Sequence, residues 1–283
     1  MDQEVTFALA IPHTDWIPER VASFRRLQAQ LGDLEGLHGA PQWIACKVFQ
    51  DREPNRVWSQ KMWRWAVSTG ATHLIQIQDD VTVAPNFWAS LRAMVEAVPD
   101  QIIGLEQAHP MGPELAEKGH RWCRTRAWLI GPAYVFPLDP KLAQGLPAFL
   151  RWCDKNPERV AAENEDTLVN RWAAEAAGVD IWHPIPTIID HDISVKSTYG
   201  NDAHAHRRPT VTWHGFPAGM LESPDYWRPP AEPYPQRLVD PFNPRCWFCT
   251  EENGSIASSA TGARIGKKCL AQILGGVLSR VPG

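Results

Sequence analysis

The stretch His73-Leu-Ile-Gln-Ile-Gln-Asp-Asp-Val-Thr-Val-Ala-Pro-Asn-Phe-Trp88 decides how the chain is read. An apolar run of strand length ends in two adjacent carboxylates, Asp79 and Asp80, then passes into a second apolar pair and a proline. A strand buried on both faces closes with paired charges only where something positive meets them. Two neighbouring carboxylates repel unless a cation or a cluster of donors compensates. In open α/β sheets ligands bind at the carboxyl ends of the strands, and this pair stands at such an end. A divalent cation with oxygen ligands would satisfy it. The plainer alternative is a pair of loop-capping carboxylates.

Around that stretch the sequence alternates strand and helix. Residues 5–11 (VTFALAI) and 42–49 (QWIACKVF) read as strands, the first of them buried. Pro18 is preset for a first helical turn, and Val21, Phe24, Leu27 and Leu31 recur at helical spacing. A second helix over 57–68 carries Trp58, Met62 and Trp65 and stops at Gly70. Residues 73–78 form the third strand, Asn86 can cap a helix over 87–98, and 101–106 (QIIGLE) is a fourth strand. This alternation predicts an α/β fold with a mostly parallel central sheet and helices on both faces. Beyond it, 108–126 is polar and basic, and 127–137 suggests two short strands around Gly131-Pro132. Residues 142–152 and 167–177 read as helices, with short extended segments at 181–185 and 187–189.

The 283 residues are 44% hydrophobic and 21% charged, enough apolar content for a sizeable core. A net charge of −4 argues against general nucleic-acid binding, so any such contact has to come from local basic patches. The first residues enter a strand pattern without a leader-like apolar stretch, and no run approaches the roughly 18 apolar residues that cross a bilayer. A soluble, cytoplasmic protein with no membrane partner is therefore expected. Cys46, Cys123 and Cys153 are scattered and read as buried thiols. Proline, histidine, tryptophan and arginine crowd residues 201–245, which read as an ordered arm that wraps the core or as a flexible linker, and three further cysteines mark a tail over 246–283.

Several nucleotide and hydrolase motifs are absent. No G-x-G-x-x-G follows a strand, and no G-x-S-x-G or H-E-x-x-H occurs. Residues 262–268 (GARIGKK) have the flavour of a phosphate-binding loop, but the glycine spacing is one residue short and Lys268 stands where a Ser or Thr would hold Mg²⁺.

Four pieces in order resemble GT-A glycosyltransferases, which use nucleotide-sugar donors, and the likeness spans roughly residues 3–200. They are residues 8–15 (ALAIPHTD), the helix with Gln60, Lys61 and Arg64 leading into 70–81 (GATHLIQIQDDV), residues 162–169 (AENEDTLV), and residues 189–197 (IDHDISVKS). The resemblance implies a GT-A-like catalytic domain over 1–200 and assigns roles within it. Pro12, His13 and Asp15 would belong to the donor-nucleotide loop, with Arg56, Lys61 or Arg64 near the base or phosphates. Asp80 would bind Mn²⁺ (or Mg²⁺) with His191, carboxylate plus imidazole suiting Mn²⁺. The family's D-x-D reads Gln78-Asp79-Asp80 here, so an amide replaces the first carboxylate and would bond a donor hydroxyl, with Asp79 in support. Asp166, with Glu165 as runner-up, would be the general base of an inverting transfer to an acceptor hydroxyl. Helix-start capping is the plainer role for both carboxylates. Gly131 to Tyr134 would line the acceptor side.

Residues 118–128 (KGHRWCRTRAW) interleave bases and aromatics, so Arg121 and Trp122 are candidate acceptor contacts, with packing of the tryptophans on the core as the alternative. Cys246-x-x-Cys249 and Cys269 suggest part of a structural zinc knuckle, which His204, His206 or His214 could complete. These features are compatible with an acceptor that is a hydroxymethylated pyrimidine in DNA, as for bacteriophage DNA-modifying glycosyltransferases, which would place the protein in a host cytoplasm. A glycan or small-molecule acceptor is the alternative. So are a catalytically inactive sugar-nucleotide-binding module, which the Gln78 departure favours, and a nucleotidyltransferase, which would want a Gly-rich basic loop after the first strand.

Overall fold

The computed structural model describes residues 4–32, 43–50, 55–106, 112–126, 131–138, 145–162, 165–192, 195, 211–217, 219–229, 238–239, 255–257 and 264–266. The chain begins with β1 (Phe7–His13), α1 (Pro18–Leu31), β2 (Trp43–Gln50), α2 (Asn55–Ser68) and β3 (His73–Ile77). It continues through β4 (Val81–Val83), α3 (Phe87–Ala97), β5 (Ile102–Gly104), α4 (Gly112–Glu117), β6 (Trp122–Arg126) and β7 (Ala133–Pro137). Helices α5 (Leu146–Lys155), α6 (Pro157–Ala162) and α7 (Glu165–Arg171) follow, α7 running on as a π-helical segment over Trp172–Ala177. Then come β8 (Ile181–Pro184), β9 (Ile189–His191), α8 (Pro224–Trp227) and β10 (Leu238–Val239), with β11 (Ser255–Ala257) and β12 (Arg264–Gly266) paired as a separate antiparallel unit.

The central sheet has the order β10-β6-β8-β5-β7-β3-β1-β2. Pairs β1–β2, β1–β3, β5–β8 and β6–β10 are parallel. Strand β7 is antiparallel to β3 and β5, and β6 to β8. The α/β class and the helix-flanked, mainly parallel sheet expected from the sequence are therefore present. Strand β7, which runs against both neighbours, and β6, which runs against β8, fall where the strand–helix alternation lapses. A parallel neighbour needs a crossover of about a dozen or more residues, and among the described residues that stretch offers only the six-residue α4.

Side chains alternate across the sheet into two apolar layers. Phe7, Leu9, Ile11, Ile75, Ile77, Ile103 and Val135 face α1 and α3, meeting Phe24, Leu27, Leu31, Leu91 and Met94. Ala8, Ala10, Leu74, Tyr134, Phe136 and Ile181 face the other side, meeting Trp58, Met62 and Trp63 of α2 and Phe149, Leu168 and Trp172 beyond. Strands covered on both faces read as continuous apolar runs, which is why they are visible in the sequence. Burying each Leu, Ile or Phe contributes about 1.5–3 kcal/mol.

Two expectations change. Asn86 does stand at the N-cap of α3, but in the left-handed conformation (φ 58°) and with no side-chain cap bond; its Nδ2 donates to Glu222 Oε1 at 2.6 Å instead. The polar stretch 108–126 contains α4 and β6, short elements without enough periodicity to be read. Within 201–245, Leu221 and Trp227 pack into the first apolar layer. Trp122 Nε1 donates to Trp227 O at 2.6 Å, and Trp227 Nε1 to Leu221 O at 2.7 Å. Among the described residues no helix is long and apolar enough to cross a membrane.

Candidate active site at the carboxyl end of β3

The short antiparallel pair β4–β9 builds the site. It sets Val81 opposite His191, and Asp192 N donates to Asp80 O at 2.7 Å. Asp80 and His191, far apart in sequence, thus meet just beyond β3. The pair is pinned to α1 by the bond from Val83 N to Gln30 Oε1, 3.1 Å.

The positive partner of the carboxylates is Arg20. This α1 residue is 6% exposed, and its guanidinium pairs with both Asp79 and Asp80. His13 Nδ1 donates to Asp79 Oδ2 at 2.7 Å, and Thr14 N to the same oxygen at 2.8 Å. Burial pushes the Asp79 carboxyl above its ordinary range, while Arg20, the Thr14 amide and His13 pull it back and Asp80 adds to the rise. The His13 ring stacks on Phe24, with centroids 4.2 Å apart. Of the donor-loop residues of the sequence reading, Pro12, His13 and Asp15, His13 touches the acidic pair. Arg20 Nε is buried with no hydrogen-bond partner among the described residues.

On the far side of Asp80, His191 Nδ1 meets Glu106 Oε1 at 2.8 Å in a pair whose side chains are both almost wholly buried. Burial alone would lower the His191 pKa. The Glu106 carboxylate beside it outweighs that and, with Asp80 and Asp190, raises it to about 9. Glu106 lies at the carboxyl end of β5 and is fixed at both ends. Its backbone oxygen accepts from His183 Nδ1 at 2.7 Å, and its side chain lies against Gly131. A Cβ on Gly131 would come within 2.9 Å of Glu106 Oε2, and Gly131 has φ +79°. Glycine is thus required here by contact and by backbone. Asp192 completes the corner by accepting from Ser23 Oγ at 3.0 Å and pairing with Arg26.

Gln78, half-buried, donates its backbone N–H to Pro132 O at 2.9 Å. Gln76 points to the α2 side of the sheet, is 1% exposed, and has no partner for either amide atom among the described residues. On that same side Tyr134, whose phenol accepts from Trp63 Nε1 at 3.2 Å, donates to Glu165. Burial, then Glu165, pushes the Tyr134 phenol well up, so it stays a donor. Asp166 is half-exposed, and its Oδ1 accepts from Thr167 N at 2.8 Å.

The remaining candidates divide. Lys61 lies on the exposed face of α2, and Arg56 lies in α2 with its side chain outside the described set. Arg121 stacks its guanidinium over Tyr226, 4.4 Å from the ring centroid. Trp122 is corrected: it is 0% exposed and packed edge-on against Trp182, so its ring has no face for an acceptor. Alternation in β6 turns it into the sheet's apolar layer. Cys246, Cys249 and Cys269 lie outside the described residues. Cys123 and Cys153 are the buried free thiols expected, while Cys46 is only half-buried; burial pushes the Cys46 and Cys153 thiols to about 11 and about 12.

The resemblance implies a divalent cation, and the donor set can be tested for it. Asp80 and His191 fit as two of its ligands. With Nδ1 turned to a buried carboxylate, a metal bond from His191 goes through Nε2, the arrangement common among metal-binding histidines. Among the described residues no group of three or more His, Cys, Asp or Glu side chains is placed to hold a metal. Further ligands would have to come from substrate and water, as is usual for Mg²⁺ at phosphates, and Arg20 would have to share Asp80.

No known protein family and no curated protein matches the sequence. Among solved structures, one described as a mannose-1-phosphate geranyltransferase from Thermus thermophilus aligns with 64% of this chain and 74% of its own length, at 13% identity and a TM-score of 0.34. A likeness that slight carries no argument about function.

Proposed function

We propose that the chain is a glycosyltransferase that moves a sugar from a nucleotide diphosphate sugar to an acceptor hydroxyl. The observation that carries the reading is the β4–β9 pairing, which brings His191 beside Asp80 at the carboxyl end of β3. Sheet ends of this kind are where α/β folds bind nucleotides. A Mn²⁺ or Mg²⁺ ion held by Asp80 and His191 would supply charge stabilisation for the departing diphosphate.

The chain's own groups would do the rest. The loop after β1 offers His13 and Asp15, and the neighbouring Trp16, 48% exposed, presents a ring for a nucleobase. Arg20 Nε is a buried donor with an acceptor still to come, and leaving such a group unmet costs about 1–3 kcal/mol. Gln78 would bond a donor hydroxyl. Asp166, half-exposed at the start of α7, would take the proton from the acceptor. The Glu165–Tyr134 bond anchors that helix start against the sheet. A base on the face opposite the departing diphosphate makes the transfer inverting. DNA bearing hydroxymethylated pyrimidines is one acceptor class to try, alongside glycans and small molecules.

A second reading has one observation in its favour. Arg20 already neutralises part of the Asp79–Asp80 charge, which suits a sugar-nucleotide-binding module without turnover. A panel of nucleotide sugars tested with Mn²⁺ for donor hydrolysis and thermal stabilisation separates the two. Hydrolysis that falls sharply in Asp166→Asn while stabilisation persists supports the transferase; stabilisation without hydrolysis or transfer to any acceptor supports the binding module.

A further inference from the structure

Glu106 has no place in the roles above, yet it is buried and held from several sides. Its side chain is 4% exposed and reaches His191, 85 residues away, at 2.8 Å. The backbone on both sides is built to keep it there. Leu105 N donates to Ala133 O at 2.9 Å, so the strand end is tied to β7. His183 Nδ1 holds the Glu106 carbonyl, and Thr125 Oγ1 lies 3.0 Å from His183 Nε2. Thr187 Oγ1 donates to Leu105 O at 2.6 Å, linking the segment before β9 to the same point. Gly131 leaves the space that the carboxylate fills.

A buried carboxylate against one ring nitrogen fixes both the tautomer and the orientation of an imidazole. Here the Nδ1–H is committed to Glu106, so the other nitrogen is the one that can bond a metal.

We propose that Glu106 is a positioning residue, holding the His191 ring so that Nε2 is presented to a divalent cation shared with Asp80. This rests on the metal-assisted reading of the site given above. Glu106 touches neither donor nor acceptor. It acts through His191, and Gly131 acts through Glu106.

The experiment is a Mn²⁺ titration of the full chain followed by electron paramagnetic resonance, with and without a nucleoside diphosphate. Wild type, Glu106→Gln, Glu106→Asp, His191→Ala and the double variant Glu106→Gln/His191→Ala are compared. Loss of a histidine's orienting partner typically weakens metal binding about 10–100-fold, so Glu106→Gln should weaken Mn²⁺ by that factor and Glu106→Asp by less. The double variant should bind no more weakly than His191→Ala alone, a non-additivity that a merely structural carboxylate would not produce. Nitrogen-15 spectra of the His191 ring, recorded above pH 9 where the wild-type ring is neutral, should show one fixed tautomer in wild type and a mixture in Glu106→Gln. Wild-type affinity in both Glu106 variants overturns the inference and leaves the metal site standing. A wild-type chain that takes no Mn²⁺ even with nucleoside diphosphate present overturns the metal site and the inference together. If Glu106→Gln does not fold, Glu106→Asp and the ring spectrum decide alone.

Discussion

Arg20 and Asp80, 60 residues apart in sequence, form a buried ion pair, and the same guanidinium also holds Asp79. The arginine is the fixed counter-charge of the acidic pair, and α1 is thereby fastened to the carboxyl end of β3. Removing one member of a buried pair strands the other, at a cost of about 3–5 kcal/mol. Arg20→Met should therefore lower the urea-unfolding free energy by that amount, and Mn²⁺ should restore part of it. A loss below about 1 kcal/mol, the range of an exposed pair, would show that the carboxylates do not depend on Arg20.

Gly131 and Gly119 provide a matched pair. Both have φ near +80°, but a Cβ on Gly119 meets nothing within 4 Å while one on Gly131 meets Glu106. Alanine at Gly119 should cost only the left-handed strain, about 1–2 kcal/mol. Alanine at Gly131 should cost more, and it alone should weaken Mn²⁺ binding. Equal melting temperatures for the two variants would remove the contact from the argument.

His183 sets part of the acid limb of stability. It is buried between Glu106 O and Thr125, and burial lowers its pKa from 6.5 to about 4. The folded state keeps it neutral while the unfolded chain takes a proton below pH 6.5. Its contribution is thus fully present above that pH and is lost as pH falls towards 4. The whole shift corresponds to about 3 kcal/mol. His183→Gln should flatten the stability profile across this window in chemical denaturation at several pH values; an unchanged slope would contradict the assignment.

Gln76 sits in a strand centre with neither amide atom paired among the described residues. Such an arrangement costs about 1–3 kcal/mol per unmet group unless a bound molecule meets it. Gln76→Met, nearly equal in volume, should raise the melting temperature of the ligand-free protein and lower its affinity for the substrate it serves. A variant that is less stable and equally active would show the amide to be structural.

Much of this architecture is legible in the sequence. The strands β1, β2 and β3 and the helices α1 and α2 announce themselves because both-face burial demands unbroken apolar runs and one-face burial demands helical spacing. Asp79 and Asp80 stand out because they interrupt such a run. Arg20 is open to the same logic: with Phe24, Leu27 and Leu31 it falls at positions i, i+4, i+7 and i+11, squarely in the buried stripe of α1. A basic residue in an apolar stripe needs an acidic partner. Val21 competes for that place in the stripe only because it is apolar. Glu106 carries a weaker signal, a charge closing the apolar run of 101–106. Its partner His191 cannot be inferred from sequence, because that contact depends on the β4–β9 register. Strand β6 and the packing of Trp122 are hidden by a sequence with no usable period, where interleaved bases and aromatics suit a surface loop and a half-buried strand equally.

The central claim is that Asp80 and His191 together hold a cation for a diphosphate donor. Its most direct test is calorimetric titration of nucleotide diphosphate sugars into the full chain, with Mn²⁺ and with chelator, for wild type and Asp80→Asn. The expected result is one donor that binds wild type at least about tenfold more tightly with Mn²⁺, a difference of about 1.4 kcal/mol, and an Asp80→Asn variant that folds but loses that increment. Equal affinity with and without Mn²⁺, or an increment that survives in Asp80→Asn, contradicts the claim.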